Sequence, residues 1–368
     1  MAEIRVGVIG VGNCCSALVQ GINYYSGKNN TSLISGLMHP VVGGYKVDDI
    51  KIVAAWDIDA RKVGRSLETA IFAKPNCTTV FQREIKHTDC TVSMGAMMDG
   101  VADHMSNGSA GGREFHVADK DQPDQDDVVK AMKDAGVEVV INYLPVGSEI
   151  ASRWYAQCAL DAGAAFVNCM PTLIASDPEW QEKFRQKGLP IVGDDIKSQI
   201  GATIIHRQLA ELFKHRGAAI DRTYQINVGG NSDFQNMKDL TRLKTKKVSK
   251  SEAVQSAVAE RLQDEDLHIG PSDYVPWLND NKVAFVRIEG RLFGDVPMNI
   301  EMRISVEDSP NSAGVAVDMI RCAKLGLDRH LAGPLMAPSA FLCKHPPEQL
   351  SEAEAWERTE QFIAGAKS

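Results

Sequence analysis

The sequence predicts an α/β fold, a doubly wound parallel sheet with a second α+β unit inserted toward its C-terminal end. Three observations carry this. Short apolar, β-branched runs alternate with helical patterns as far as about residue 200. A glycine-rich turn joins the first run to a helix, and beyond residue 200 the chain changes to longer strands with alternating polarity.

Ile4 to Ile9 reads as a buried parallel strand. Gly10-Val11-Gly12-Asn13-Cys14-Cys15-Ser16 then turns into a helix marked by Leu18, Ile22 and Tyr25. The two glycines let the backbone turn tightly and approach phosphate oxygens, while the helix start offers unpaired N–H groups and partial positive charge. That is the arrangement of a Rossmann-like dinucleotide-binding unit, with Gly10, Gly12, Asn13, Cys14 and Cys15 as cofactor-binding candidates. Cys15 stands where the fingerprint has its third glycine. It is small enough to let helix and strand approach. Both thiols are expected to serve packing, although a helix start can lower a thiol pKa. Ile50 to Asp57 is the next strand, and its terminal Asp57 is placed to bind the adenosine ribose, which favours NAD over NADP. Asp57 lies more than twice the usual gap of about 20 residues beyond Gly12. Residues 26 to 49, rich in Asn, Gly and Ser, account for the excess as a loop over the cofactor.

Ala60 to Phe72 carries a helical pattern, and a polar region without clear period follows to about Gly112. Asp126 to Ala135 reads as a helix ended by Gly136, and Val137 to Leu144 as a strand stopped by Pro145. Ser148 caps a helix that Gly163 ends, Ala164 to Asn168 is a strand, Asp177-Pro178 starts a helix, and Leu189 to Gly193 is a further strand. Ligands of such sheets gather beyond the strand C-termini. Asn142 to Gly147, Asn168 to Pro171 and Asp194 to Ser198 fall there. Further on, Arg222 to Gly230, Val283 to Phe293 and Met298 to Val306 are strands, the last placing Ile300, Met302, Ile304 and Val306 on one face. Ser309-Pro310 opens a long apolar helix to about Leu325, with Asp308 placed to cap it, that returns to the first unit. The nucleotide-binding unit is therefore discontinuous, 1–199 with 310–368, and 200–309 forms a catalytic and oligomerisation unit.

The chain has 368 residues, 44% of them hydrophobic and 24% charged, which is ordinary for a globular protein. A net charge of −8 argues against a general nucleic-acid or membrane-surface partner. The N-terminus has no signal pattern and no apolar run reaches membrane-spanning length, so the cytoplasm is the expected location. Eight cysteines without a C-x-x-C pair suggest neither a zinc site nor a disulfide framework. Thr241 to Ser251 departs from this balance with five basic residues and no acid. Such a run reads as a solvated loop, or as lysines that lower one another's pKa and grip an anionic substrate. It lacks the interleaved aromatics of a single-strand binder.

Five motifs occur in order: NYLPVGSE from Asn142, GDDIKS from Gly193, GGNSDF from Gly229, KKVSK from Lys246, and EDSPNS from Glu307. On these the chain resembles, over nearly its whole length, the short actinobacterial and archaeal form of the myo-inositol-1-phosphate synthase family. The resemblance implies an NAD-dependent, redox-neutral cyclisation of glucose 6-phosphate, the first step of inositol and inositol phospholipid synthesis. C5 of the opened sugar is oxidised, the C6 enolate attacks the C1 aldehyde, and the hydride returns to C5. It implies catalytic roles for Asp195, Lys246, Lys282, Asp308 and Lys344, and substrate contacts from Asn231, Asp233 and Lys250. Lys246 would exchange the C5 hydroxyl proton with Lys344 sharing the relay, Lys282 would polarise the C1 aldehyde, and Lys250 would clamp the phosphate. Asp195 and Asp308 would orient lysines; Tyr155, Ser198, Asp233 and Lys246 would border the cofactor. A homotetramer is implied as well. No metal-ligand spacing is diagnostic, which leaves a divalent or monovalent cation open. The alternative is a net NAD-dependent dehydrogenase of a phosphorylated sugar or semialdehyde.

Overall fold

The computed structural model describes residues 3–28, 34–102, 105, 114–237, 254–270 and 273–365. Seven parallel strands form the first sheet: β1 (Ile4–Ile9), β2 (Ile50–Asp57), β3 (Val92–Met94), β4 (Val139–Asn142), β5 (Ala165–Asn168), β6 (Pro190–Val192) and β12 (Gly333–Pro334). Their order is β12-β6-β5-β4-β1-β2-β3. The strand order reverses between β1 and β4, and the crevice that such a reversal opens lies beyond the strand C-termini. Both faces are covered, which is why these strands read as continuous apolar runs. Val8, Ile141 and Val167 face the helices Asn13–Tyr25 and Asp308–Asp328, while Val140, Phe166 and Ile191 face Glu149–Ala162 and Pro178–Lys187.

The second sheet contains β7 (Ala219–Gly229), β8 (Leu267–Ile269), β9 (Asp273–Tyr274), β10 (Asn281–Arg291) and β11 (Pro297–Glu307). It runs β11-β10-β7-β8, with β9 also on β7. The pairs β10–β11 and β7–β10 are antiparallel, whereas β8 and β9 join β7 in parallel. Along β11 the side chains of Met298, Ile300, Met302, Ile304 and Val306 are half-buried and every intervening residue is exposed. Ala284, Val286 and Ile288 of β10 pack on Ala202 and Phe213 of the helix Ala202–His215. The fold is thus the expected α/β class with a separate mixed sheet, and the long helix Asp308–Asp328 returns from it to the parallel sheet.

Three local expectations differ. The 60–72 pattern yields a short helix, Leu67–Ala70, after turns in which Gly64 takes φ +83°. The Asp59 carboxylate accepts from the Arg61 and His116 amides and so offers the backbone an alternative to helical bonds. Ser148 and Glu307 occupy helix N-cap positions without side-chain cap bonds, and Asp308 is the first helical residue, not the cap.

The third difference concerns the insertion. Its described part lies along the 308–328 helix, not over the crevice, with Leu37, Val42, Tyr45 and Val47 buried there. Arg321, fully buried, organises it: the guanidinium pairs with Asp318 and donates to the carbonyls of His39, Pro40 and Tyr45. An irregular segment buries carbonyls that no ladder serves, and a guanidinium's five donors match that need. His39 bridges Asp318 (2.5 Å) and Glu360 (2.6 Å). Burial lowers its pKa, but the two carboxylates outweigh this and the net shift is upward. A raised folded-state pKa means that the contribution to stability is complete below the unfolded value of about 6.5 and is lost as pH rises through the folded value. Unfolding in urea at stepped pH will show this loss in the wild type and not in His39→Gln; parallel curves for the two proteins would refute it.

Candidate active site

One large cleft runs from the ends of β1, β2, β4 and β5 to the adjoining ends of β7 and β10. It encloses about 1800 Å³ open to solvent.

At one end Gly10 has φ +91°, and a Cβ there would stand 2.7 Å from the Tyr143 carbonyl oxygen. Gly12 is the opposite case: a Cβ would meet nothing within 4 Å. It is the N-cap of the first helix and no side chain caps it, so the first-turn N–H groups are open to an anion in the cleft. Asn13 and Cys14 line the same wall, and the Asn13 Oδ1 accepts from the Cys77 and Thr78 amides at 2.7 and 3.2 Å. Cys15 does not line the cleft. It is fully buried in the core beneath, where its small size lets the helix approach the sheet. Burial also pushes both thiols up, Cys14 to about 12 with Asp280 adding to the effect, so the helix start activates neither. Asp57 ends β2 with its carboxylate fixed by the amides of Val11 (2.8 Å), Ile58 (2.8 Å) and Asp59 (2.9 Å). Tyr155 reaches the cleft, but its hydroxyl accepts from the Ala96 amide at 2.8 Å; Ser198 lines the cleft as well. An open glycine, an uncapped helix and a carboxylate at the end of β2 fit a dinucleotide.

At the other end Lys282, in β10, pairs with Asp308 at 3.0 Å. Lys344 donates to Asp195 Oδ1 at 2.8 Å and to the Ile196 carbonyl at 2.7 Å. Asp195 holds a left-handed φ of +59°, and its amide bonds to the Met170 carbonyl at the end of β5. An isolated bridge between Ile196 and Cys343 brings its segment beside Lys344. Burial lowers the Lys282 pKa, yet the carboxylates of Asp308, Asp233 and Asp195 more than offset it and the net shift is upward. Lys282 is therefore held as an ammonium. Asn231 lines the cleft, but its amide is committed: Oδ1 caps the helix Ser232–Asn236 by accepting from Asp233 and Phe234, and Nδ2 donates to Asp280. The structure thus brings Asp195, Asp233, Lys282, Asp308 and Lys344 together; Lys246 and Lys250 lie outside the described residues.

Sequence reasoning missed Asp280, 1% exposed, which accepts from the Thr78 hydroxyl (2.7 Å), Asn231 Nδ2 (3.0 Å), and the Ser309 amide (3.1 Å) and hydroxyl (2.8 Å). Burial, then the neighbouring Asp308, pushes its carboxyl up to about 6. In the sequence it belongs to an Asn-Asp-Asn turn. Its one signal was its place two residues before a candidate lysine. Gln225 and Asn227 of β7 also reach the cleft, as do residues 201–204, where the helix Ala202–His215 starts at Gly201 without a side-chain cap. Lys197 is buried against Glu352 (2.8 Å), which also accepts from Arg207 (2.6 Å); burial pulls the Lys197 pKa down. Among the described residues no group of three or more His, Cys, Asp and Glu side chains is arranged to hold a metal ion, and no helix is long and apolar enough to cross a membrane.

Fold and cleft together define a Rossmann-like α/β protein in which two lysine–carboxylate pairs face a dinucleotide-type crevice. Residues 201–309 match the family model described as myo-inositol-1-phosphate synthase. Inositol-3-phosphate synthase of Mycolicibacterium smegmatis is 52% identical over 367 residues, covering 99% of this chain and 98% of that protein. The enzyme of the same name from Corynebacterium glutamicum is 50% identical over 370 residues, covering 99% of each. The crystal structure of Ari2, 31% identical, superposes with a TM-score of 0.80 over 100% of both chains. The chain belongs to the myo-inositol-1-phosphate synthase family, and its enzyme class is that of an isomerase.

Proposed function

We propose that this protein converts D-glucose 6-phosphate to 1D-myo-inositol 3-phosphate, with NAD regenerated in every turnover. The observation that carries the reading is the pairing of two lysines, Lys282 and Lys344, each with its own carboxylate, in a cleft whose far end fits a dinucleotide. A net dehydrogenase needs one group to manage one hydroxyl proton. A redox-neutral cyclase must stabilise negative charge on two oxygens, at C5 and at C1.

Gly10, Gly12, Asn13, Cys14, Asp57, Tyr155 and Ser198 would hold the cofactor, which when bound supplies reversible hydride storage for C5. Lys246 takes the C5 hydroxyl proton when C5 is oxidised and returns it when C5 is reduced, while Lys344, fixed by Asp195 and the Ile196 carbonyl, shares that relay and stabilises the C5 oxyanion. Once C5 is a ketone, the C6 protons are acidic. Lys282, kept charged by its carboxylate neighbours, then donates to the C1 carbonyl oxygen as C6 attacks. The substrate phosphate is assigned to the open helix start at 201–204 together with Lys250, and Asp233 to the sugar hydroxyls, with Asn231 positioning it.

The unit 1–199 with 310–368 holds the cofactor and supplies Lys344 and Asp195 to the substrate, and 200–309 supplies the other substrate contacts. Subunit contacts of a homotetramer are assigned to the second sheet, which exposes Ile226, Phe285 and, at its hairpin tip, Leu292, Phe293 and Val296. The cytoplasm is the assigned compartment. The test is incubation with glucose 6-phosphate and substoichiometric NAD, with and without a chelator, followed by phosphorus NMR and nicotinamide absorbance. Many turnovers to an inositol phosphate without lasting NADH are expected, and NADH accumulating one-for-one with product would overturn the reading in favour of a dehydrogenase. The chelator arm reads any divalent-cation requirement.

A further inference from the structure

Lys62 is 1% exposed, yet it lines the cleft beside Asp57. Its ammonium lies 3.0 Å from Asn76 Oδ1 and 3.5 Å from Asp57 Oδ2. Asn76 is itself oriented, because its Nδ2 donates to the carbonyls of Val11 at 3.1 Å and Ile71 at 3.0 Å. Its oxygen is thereby committed to Lys62. A buried ammonium is costly unless its donors are used, and it has three. Asn76 takes one of them and the long contact with Asp57 a second.

The Asp57 carboxylate can only accept, and it already accepts three backbone amides. A ribose presents two adjacent hydroxyls, each both donor and acceptor. A carboxylate alone serves their protons and leaves their oxygens without a donor. Resting on the dinucleotide reading above, we propose that Lys62 is a second reader of the adenosine ribose: a hydroxyl of the 2′,3′-diol takes the place of the long Lys62 contact on Asp57, and the Lys62 ammonium donates to one of the diol's oxygens. Asn76 is then the positioning residue that holds the ammonium at this wall.

The test is equilibrium binding to the full chain, by NADH fluorescence and by competition with NAD, 2′-deoxy-NAD and 3′-deoxy-NAD, for wild type, Lys62→Met and Lys62→Gln. Lys62→Met should weaken NAD binding about tenfold or more, the usual size for a hydrogen bond to a charged group. The loss should vanish for the one deoxy analogue that lacks the contacted oxygen, and Lys62→Gln, which keeps an N–H donor, should fall between. Should Lys62→Met fail to fold, the same comparison with Lys62→Gln decides. An equal loss for NAD and both analogues, or none for NAD, makes Lys62 a counter-ion only and overturns the proposal. Wild-type protein that binds no NADH overturns the dinucleotide reading itself, and this proposal with it.

Discussion

Lys282→Met lowers kcat by about a hundredfold to a thousandfold, the usual effect of removing one donor aimed at a developing oxyanion. The pairing of β10 with β7 and β11 sets Lys282 opposite Gly229 and Val306. That register carries its side chain to Asp308 at the start of the long helix and within the influence of Asp233 and Asp195. Three carboxylates keep the ammonium charged, and in the proposed reaction its charge is needed when C6 attacks C1. Lys344→Met causes a loss of similar size at an earlier step, C5 oxidation. Single-turnover measurements separate the two. Lys282→Met should show a transient of NADH that decays slowly, whereas Lys344→Met should show none. Circular dichroism and urea unfolding check that both variants remain folded; unchanged kcat in either would remove that lysine from the mechanism.

Arg321→Met destabilises the protein by about 3–5 kcal/mol, the cost of removing one partner of a buried ion pair. Arg321 and Asp318 are both essentially inaccessible, and with the guanidinium the carbonyls of His39 and Pro40 lose a donor while that of Tyr45 keeps the Val42 amide. The midpoint in urea reads the effect. Adding Asp318→Leu should not recover it, because Asp318 still pairs with His39 and the second change would leave His39 to Glu360 alone. A loss below about 1 kcal/mol in the single variant would mean that the guanidinium does not organise the insertion.

Residues 4–57 show why the fold was legible. A strand buried on both faces must be apolar throughout, a helix start that meets an anion needs glycine, and the carboxylate after the next strand must stand beside it. Each requirement is met within a few residues, so local order is enough to reveal it. The same holds for β11, whose alternation survives in the half-buried and exposed residues from Met298 to Val306. Residues 26–49 were misplaced because their composition marks an irregular segment without showing what it covers. The answer lay in Arg321, whose donors reach carbonyls 276 to 282 positions away.

The candidate site divides along the same line. Asp195, Asp233 and Asp308 could be singled out because they stand in ordered motifs, and Lys282 and Lys344 through the family resemblance, but their pairing was not in the motifs: Lys344 meets Asp195 across 149 residues. Asp280 looked like a turn residue because its partners, Thr78, Asn231 and Ser309, come from three distant segments. Lys62 lay unremarked inside the 60–72 helical pattern, and the turn at Gly64 and the bonds of Asn76 place it against Asp57. Strand, helix and glycine turn are decided by the short-range covalent and steric preferences of the chain, so the amino-acid order alone determined the α/β class and the dinucleotide-type crevice. Which charges face one another depends on long-range packing of both sheets around the 308–328 helix, and only the tertiary structure decided that.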